Sequence, residues 1–295
     1  MKIGFIGLGV MGSRMTKRLL AAGFSVIVYN RTKEKMKEFV KLGAEAAESI
    51  SELSEKANVI CTCLSMPSDV NEVYEEVIQH AKPETICLDF TTVGMDTSQT
   101  MGEKAKKKGM IFLDAPISGG PEGAEEGTLT IMVGGDEPSY EKVFPVLNAL
   151  GGNIQHLGQS GMGSVAKLMN QYLVAVHSLA ASEAMVVGTA LGLKSDQLYN
   201  ILKTSYGDSR MLRRHMEHYV LDRQFEPGGA VKYVHKDVKL ANQLMNQAGL
   251  KVFTGNMAQD AFNTAIHEGL ADEDMSAVIK PLEKQAGAVV ARNKA

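Results

Sequence analysis

Five short apolar runs, KIGFIG, SVIVYN, NVICTCL, TICLDF and MIFLDAPIS, alternate with helical patterns at 11–22, 32–42, 49–56, 68–80 and 95–108. Strand and helix in turn restrict the chain to βαβ units and a mostly parallel sheet. Two more β-like runs, LTIMVGG and NIQHLG, flank a helical pattern at 138–150. After Gly163 the β-branched runs stop, and Met, Leu and Ala at helical spacing take over. The most obvious later break is RQFEPGGAV, because Pro227, Gly228 and Gly229 cannot continue a helix comfortably.

A length of 295 residues suits two domains. The net charge of −3 gives no nucleic-acid footprint, and the lysines at 104–108 read as the solvated C-terminal end of a helix. Cys61, Cys63 and Cys87 lie in apolar β-runs. An odd count argues against a disulfide framework, no metal site is expected, and the thiols read as small apolar filler. The stretch YLVAVHSLAASEAMVVGTALGL could be mistaken for a membrane span, but it carries His177 and Glu183. A central charge costs roughly 2.5–3.5 kcal/mol on insertion, so the stretch is expected to be a helix buried between domains. With no signal peptide recognised, a cytoplasmic protein is expected.

The first run leads into Gly7-X-Gly9-X-X-Gly12 and then a helical pattern. In that setting Gly7 makes a tight turn, Gly9 lets a pyrophosphate approach the backbone, and Gly12 lets helix and strand pack closely. The helix start supplies N–H groups and positive potential. The segment Gly7, Leu8, Gly9, Val10, Met11, Gly12 is therefore expected to hold a dinucleotide; the alternative is a glycine-rich structural turn. The fold expected is an α/β Rossmann-type N-terminal domain (1–163) plus an all-α C-terminal domain (192–295), joined by a long interdomain helix (164–191). NAD-preferring folds place Asp or Glu about 20 residues past the glycines. Here stand Asn30, Arg31 and Thr32. An arginine can fork onto a 2′-phosphate, and its neighbours add neutral hydrogen bonds. NADP(H) is thus expected over NAD(H), which stays open as the second cofactor.

Further constellations end the later strands, where open α/β sheets bind ligands. In DFTTVG the hydroxyl of Thr91 or Thr92 either reaches the ligand or caps the next helix; Thr92 is favoured as a contact. In CLSMPSDV the backbone of Leu64, Ser65 and Met66 should pass the cofactor ribose, with Ser68 capping the helix. In DAPISGGPEGA, Ser118 beside Gly119 and Gly120 offers a hydroxyl and bare N–H groups to a carboxylate or developing negative charge, although a turn alone explains the glycines. In GQSGMGSVAKLMNQ, Lys167 lies one turn after Gly163 and shares a helix face with Asn170 and Gln171. Such a lysine can serve in proton transfer, or it can snorkel at a domain boundary.

With GFIGLGVMG, DAPISGG and GMGSVAKLMNQ in this order over nearly the whole chain, the sequence resembles the β-hydroxyacid dehydrogenase family. That family includes 3-hydroxyisobutyrate dehydrogenases, tartronate semialdehyde reductases and glyoxylate/succinic semialdehyde reductases, with 6-phosphogluconate dehydrogenase more distant. The resemblance implies interconversion of a short β-hydroxy acid, or a 4-hydroxybutyrate- or glycolate-type acid, and its aldehyde, in a cleft between the domains, with NADP(H) the coenzyme expected from Arg31. It makes Lys167 the catalytic lysine, Ser118, Gly119 and Gly120 the substrate-binding stretch, and Thr92 a cofactor- and substrate-proximal residue. It also implies that Lys236 approaches the cofactor and that Asp237 helps order the site; from the sequence alone that pair reads as solvated helix surface. Family members often carry Asn where Gln171 stands, so whether Asn170 or Gln171 touches substrate is left open. Glyoxylate/succinic semialdehyde reductases place a bulky Phe near Gly229, and the glycine pair here would leave that wall bare. An imine reductase on the same fold and a non-catalytic NADP(H)-binding sensor are the competing readings. The apolar helices beyond residue 172 suggest a homodimer or homotetramer, binding neither nucleic acid nor membrane.

Overall fold

The structure, a computed structural model, describes residues 1–292. Contacts divide the chain into two compact units, Met1–Lys167 and Leu168–Ala295.

In the first unit, β1 (Lys2–Ile6), β2 (Ser25–Tyr29), β3 (Glu45–Ala46), β4 (Val59–Thr62), β5 (Ile86–Asp89) and β6 (Ile111–Asp114) form one parallel sheet in the order β3-β2-β1-β4-β5-β6. The connecting helices are α1 (Val10–Ala21), α2 (Met36–Lys41), α3 (Ile50–Lys56), α4 (Pro67–His80) and α5 (Met95–Lys107). Successive strand residues point to opposite faces, and here both faces are covered. Phe5, Val28, Cys61 and Leu88 pack with Met15 and Leu19 of α1 on one side. Ile6, Ile27, Ile60 and Cys87 pack with Tyr74 and Val77 of α4 on the other. Burial on both faces is why these strands are continuously apolar and not alternating.

The run MIFLDAPIS, read as one strand, is two. Pro116 has no N–H to continue a ladder, and the chain leaves the first sheet after Asp114. It re-enters a second sheet as β7 (Ile117–Ser118), antiparallel to β8 (Leu129–Val133), which is parallel to β9 (Gly151–His156). Helices α6 (Gly120–Glu126) and α7 (Glu137–Asn148) complete this layer. Two helix starts also differ from expectation. The start of α4 is capped not by Ser68 but by Asp69, whose carboxylate accepts from Met66 N at 2.9 Å, with Pro67 leading the helix. Neither Thr91 nor Thr92 caps α5, whose cap position is Gly94.

The long helix α8 (Met162–Ala190) begins in the first unit and continues in the second, beside α9 (Ser195–Leu202), α10 (Arg210–His215), α11 (Val231–Gln247), α12 (Gly255–His267) and α13 (Ile279–Ala286). By length and composition α8 could cross a membrane. Its Ala175 and Leu179 are buried with Val234, Val238 and Phe262, and its Met185 with Leu212 and Met216. RQFEPGGAV is irregular up to the start of α11. There the Asp274 carboxylate accepts from Gly228 N at 3.1 Å and Gly229 N at 3.2 Å, while Arg214 forks onto it at 2.9 and 2.7 Å. The Met275 side chain occupies the space that a Cβ on Gly229 would enter.

Candidate active site

The first loop joins β1 to α1. Gly7 holds a φ of +100°, which a side chain would strain. A Cβ on Gly12 would run into the Gly7 carbonyl oxygen, whereas one on Gly9 would meet nothing within 4 Å. The two outer glycines thus let strand, turn and helix close on one another, and the middle one leaves the backbone open outwards. The first turn of α1 carries no acidic residue. An exposed helix start without carboxylates, behind a bare turn, fits a pyrophosphate.

Asn30 braces this loop. Its Oδ1 accepts from Leu8 N at 2.9 Å and its Nδ2 donates to the Thr32 carbonyl at 3.0 Å. Arg31 and Thr32 are exposed at the end of β2, as are Ser65 and Met66 after β4. Thr91 is buried and ties two loops together, its Oγ1 accepting from Leu64 N at 2.9 Å; Thr92 beside it is half-buried.

Beneath these loops lies a polar cluster that sequence reasoning missed. Asp89 closes β5 and is fully buried. Its Oδ1 accepts from Thr62 Oγ1 at 2.8 Å and Thr91 N at 3.1 Å, and the Thr62 hydroxyl also pairs with Tyr74 Oη at 2.9 Å. Oδ2 has no hydrogen-bond partner among the described residues. Burial pushes this carboxyl up to about 6, against the opposing pull of the Thr91 and Thr62 hydrogen bonds. The neighbouring thiols serve as filler: Cys61 packs in one apolar cluster and Cys87 in the other, and burial raises both.

Ser118 pairs with Thr130 across β7 and β8. Gly119 and Gly120 follow at φ of +137° and +68°, so the chain turns sharply into α6. Lys167, on the second turn of α8, is buried at 7% exposure. In the second unit, Gln171 Nε2 donates to Asp237 Oδ2 at 2.6 Å, and Asn170 Nδ2 donates to Gln171 Oε1 at 3.0 Å. Asp237 is buried on α11 and pairs with the half-buried Lys236 at 3.0 Å. This pair is not the solvated surface that the sequence alone suggests. Both functional ends of Gln171 are engaged, so it acts as a brace between Asp237 and Asn170.

A parallel sheet ordered 3-2-1-4-5-6 behind this first loop defines a dinucleotide-binding protein of the Rossmann class. The family model described as the NAD binding domain of 6-phosphogluconate dehydrogenase matches residues 2–158. That described as NAD-binding of NADP-dependent 3-hydroxyisobutyrate dehydrogenase matches residues 161–282. The 2-(hydroxymethyl)glutarate dehydrogenase of Eubacterium barkeri is 35% identical, over 98% of this chain and 97% of its own. The NAD-dependent L-serine dehydrogenase of Pseudomonas aeruginosa is 33% identical, over 97% of this chain and 99% of its own. Among solved structures, the Mycobacterium tuberculosis 3-hydroxyisobutyrate dehydrogenase with L-serine superposes at a TM-score of 0.88, with 31% identity and coverage of 95% and 98%. The chain belongs to the β-hydroxyacid dehydrogenase family, the nicotinamide-dependent oxidoreductases of small hydroxy acids.

The Asp89 site yields a pH dependence with a definite sign. An unfolded Asp titrates near 3.9, below the folded value of about 6. Between the two, the folded state binds more protons, so Asp89 costs stability as pH rises through that window. Asp89→Asn keeps an oxygen acceptor for Thr62 and Thr91 and removes the titration. From about pH 3 to about pH 7, the unfolding free energy of the variant relative to wild type should move in its favour by on the order of 3 kcal/mol. Urea melts at both pH values check this; a pH-independent difference would reject it.

Proposed function

We propose that the protein is an NADP(H)-dependent dehydrogenase that interconverts a short β-hydroxy acid and its semialdehyde, with Lys167 carrying the proton. The observation that carries this reading is Lys167 itself: an ammonium-bearing side chain only 7% exposed, in the same compact unit as the glycine loop and Ser118. A lysine amine held inside the fold can serve as proton donor and acceptor.

The substrate class is supported by the chemistry common to the relatives. The compounds named with them, 2-(hydroxymethyl)glutarate, L-serine and 3-hydroxyisobutyrate, all contain HOCH2–CH(R)–COO−. They share a primary alcohol and a carboxylate on adjacent carbons and differ only in R. The Ser118 hydroxyl and the backbone of Gly119 and Gly120 bind that carboxylate, which orients the alcohol. A nicotinamide dinucleotide held by the Gly7–Gly12 loop would supply the hydride chemistry. The Lys167 amino group accepts the hydroxyl proton in oxidation and returns it to the carbonyl oxygen in reduction. Asn170 is the amide that touches substrate, since Gln171 is already held at both ends. Lys236 is assigned to cofactor binding, and its partner Asp237 holds Gln171.

The cofactor preference rests on Arg31. No carboxylate stands among Asn30, Arg31 and Thr32 to repel a 2′-phosphate, and Asn30 is occupied as a brace. The Pseudomonas relative is named NAD-dependent, so coenzyme choice must be measured. A panel of 3-hydroxyisobutyrate, L-serine and 2-(hydroxymethyl)glutarate, each with NADP+ and NAD+, is the direct test. Coenzyme binding without turnover would favour the sensor reading, and turnover of a cyclic imine alone the imine reductase.

Three variants sharpen the assignment. Arg31→Asp should weaken NADPH about 10–100-fold, as expected for a lost charge-assisted contact, and leave NADH little changed; equal losses would remove Arg31 from coenzyme choice. Lys167→Ala should lower kcat about 10²–10⁴-fold with NADPH affinity intact, and near-normal turnover would end its role. Asn170→Ala should depress kcat/KM for the hydroxy acid more than Gln171→Ala does, and the reverse order would transfer the substrate contact to Gln171.

A further inference from the structure

The first turn of α8 has no cap of its own. Gly161, Met162 and Gly163 carry no side-chain oxygen that could accept the N–H groups a helix start leaves over. The acceptor comes instead from the end of a distant strand. Asp114, the last residue of β6, is 1% exposed. Its Oδ1 accepts from Gly161 N at 2.7 Å and its Oδ2 from Ser164 N at 2.8 Å.

Asp114 is itself immobilised. Its N–H and C=O pair with the carbonyl and N–H of Gly134 at 3.1 and 2.8 Å. The helix backbone sits directly on it, because a Cβ on Gly163 would lie 2.9 Å from both its carbonyl oxygen and Oδ2. From a third direction, Ser98 Oγ of α5 pairs with Ser164 Oγ at 2.9 Å. A local cap would stabilise the helix start wherever the helix lay. A carboxylate fixed in the sheet also sets its height and rotation.

Two consequences meet at this one carboxylate. Lys167 follows Ser164 by three residues, about 4.5 Å up the helix axis. Ser118 follows Asp114 by four residues and is held by its pairing with Thr130. We propose that Asp114 is a positioning residue for proton transfer: its carboxylate seats the first turn of α8 and so fixes Lys167 relative to the substrate-binding segment that begins at Ser118. This rests on the role given to Lys167 above.

The test is a double-mutant cycle on the full chain with Asp114→Asn and Lys167→Ala, read as kcat for the β-hydroxy acid, NADPH Kd and melting temperature. An asparagine there turns its amide nitrogen on one of the two N–H donors. Asp114→Asn should lower kcat about 10²-fold, the scale of a displaced catalytic group, with NADPH Kd unchanged. In the Lys167→Ala background it should cost the residual turnover nothing further, because residues acting as a unit are not additive. Wild-type kcat in Asp114→Asn, or the same loss in both backgrounds, overturns the proposal and leaves Lys167 standing. Wild-type turnover in Lys167→Ala ends the role of Lys167 and this proposal with it. If Asp114→Asn does not fold, Ser98→Ala carries the same cycle by removing only the hydroxyl tether. A fall in kcat confined to the background that retains Lys167 supports the proposal; no fall, or an equal fall in both, overturns it.

Discussion

Parallel pairing is the constraint on which the first unit depends. Because β1, β2, β4, β5 and β6 all run the same way, their carboxyl ends share one edge of the sheet. The turns that leave that edge begin with the glycine loop, Asn30, Cys63, Phe90 and Ala115. Residues far apart in the chain thereby share one edge without any direct attraction between them. Hydrophobic burial on both faces of the sheet supplies the energy, and the hydrogen-bond register supplies the alignment.

A second layer of order lies under that edge. Asn30, Asp89, Thr91 and Asp114 are polar groups committed to backbone N–H groups of neighbouring loops. A loop has no ladder to hold it, so a side chain that accepts from its N–H groups substitutes for one. The cost of such an arrangement is visible at Asp89, where a buried carboxyl with one unpartnered oxygen is pushed toward its protonated form. At Asp114 burial also raises the carboxyl, but Gly161 and Ser164 donate against that rise. The helix start adds positive potential.

The second unit uses the same logic on helices. Asp237, buried on α11, is joined to Lys236 on one side and Gln171 on the other. Asp274 gathers Arg214 and the backbone of the Gly228–Gly229 turn, so one carboxylate ties down an irregular segment. In both units, acidic side chains organise chain segments that apolar packing alone would leave loosely specified.

The alternation of strand and helix, the parallel sheet and the close approach at Gly7 and Gly12 were legible in the sequence, because they follow from local rules: the period of apolar residues, the rarity of glycine in regular structure and the position of a turn after a strand; the two-residue β3 is too short to show such a period. Lys167, Ser118, Asn170 and Gln171 stood out for the same reason, as polar residues interrupting a pattern. The break at Pro116 was less legible, since MIFLDAPIS is apolar on both sides of a residue that only the ladder rejects. The bracing contacts of Asp89, Asp114 and Gln171 were not legible, and Asp237 was expected to order the site only from the family resemblance. Each depends on an N–H or amide brought near by the fold, and in a string of letters a carboxylate at the end of an apolar run has no visible partner. Sequence determined which elements form and which groups could do chemistry, because period and propensity act between neighbours. Tertiary structure alone decided which polar groups hold the others in place, because a hydrogen bond joins whatever the chain folds together, however far apart in sequence.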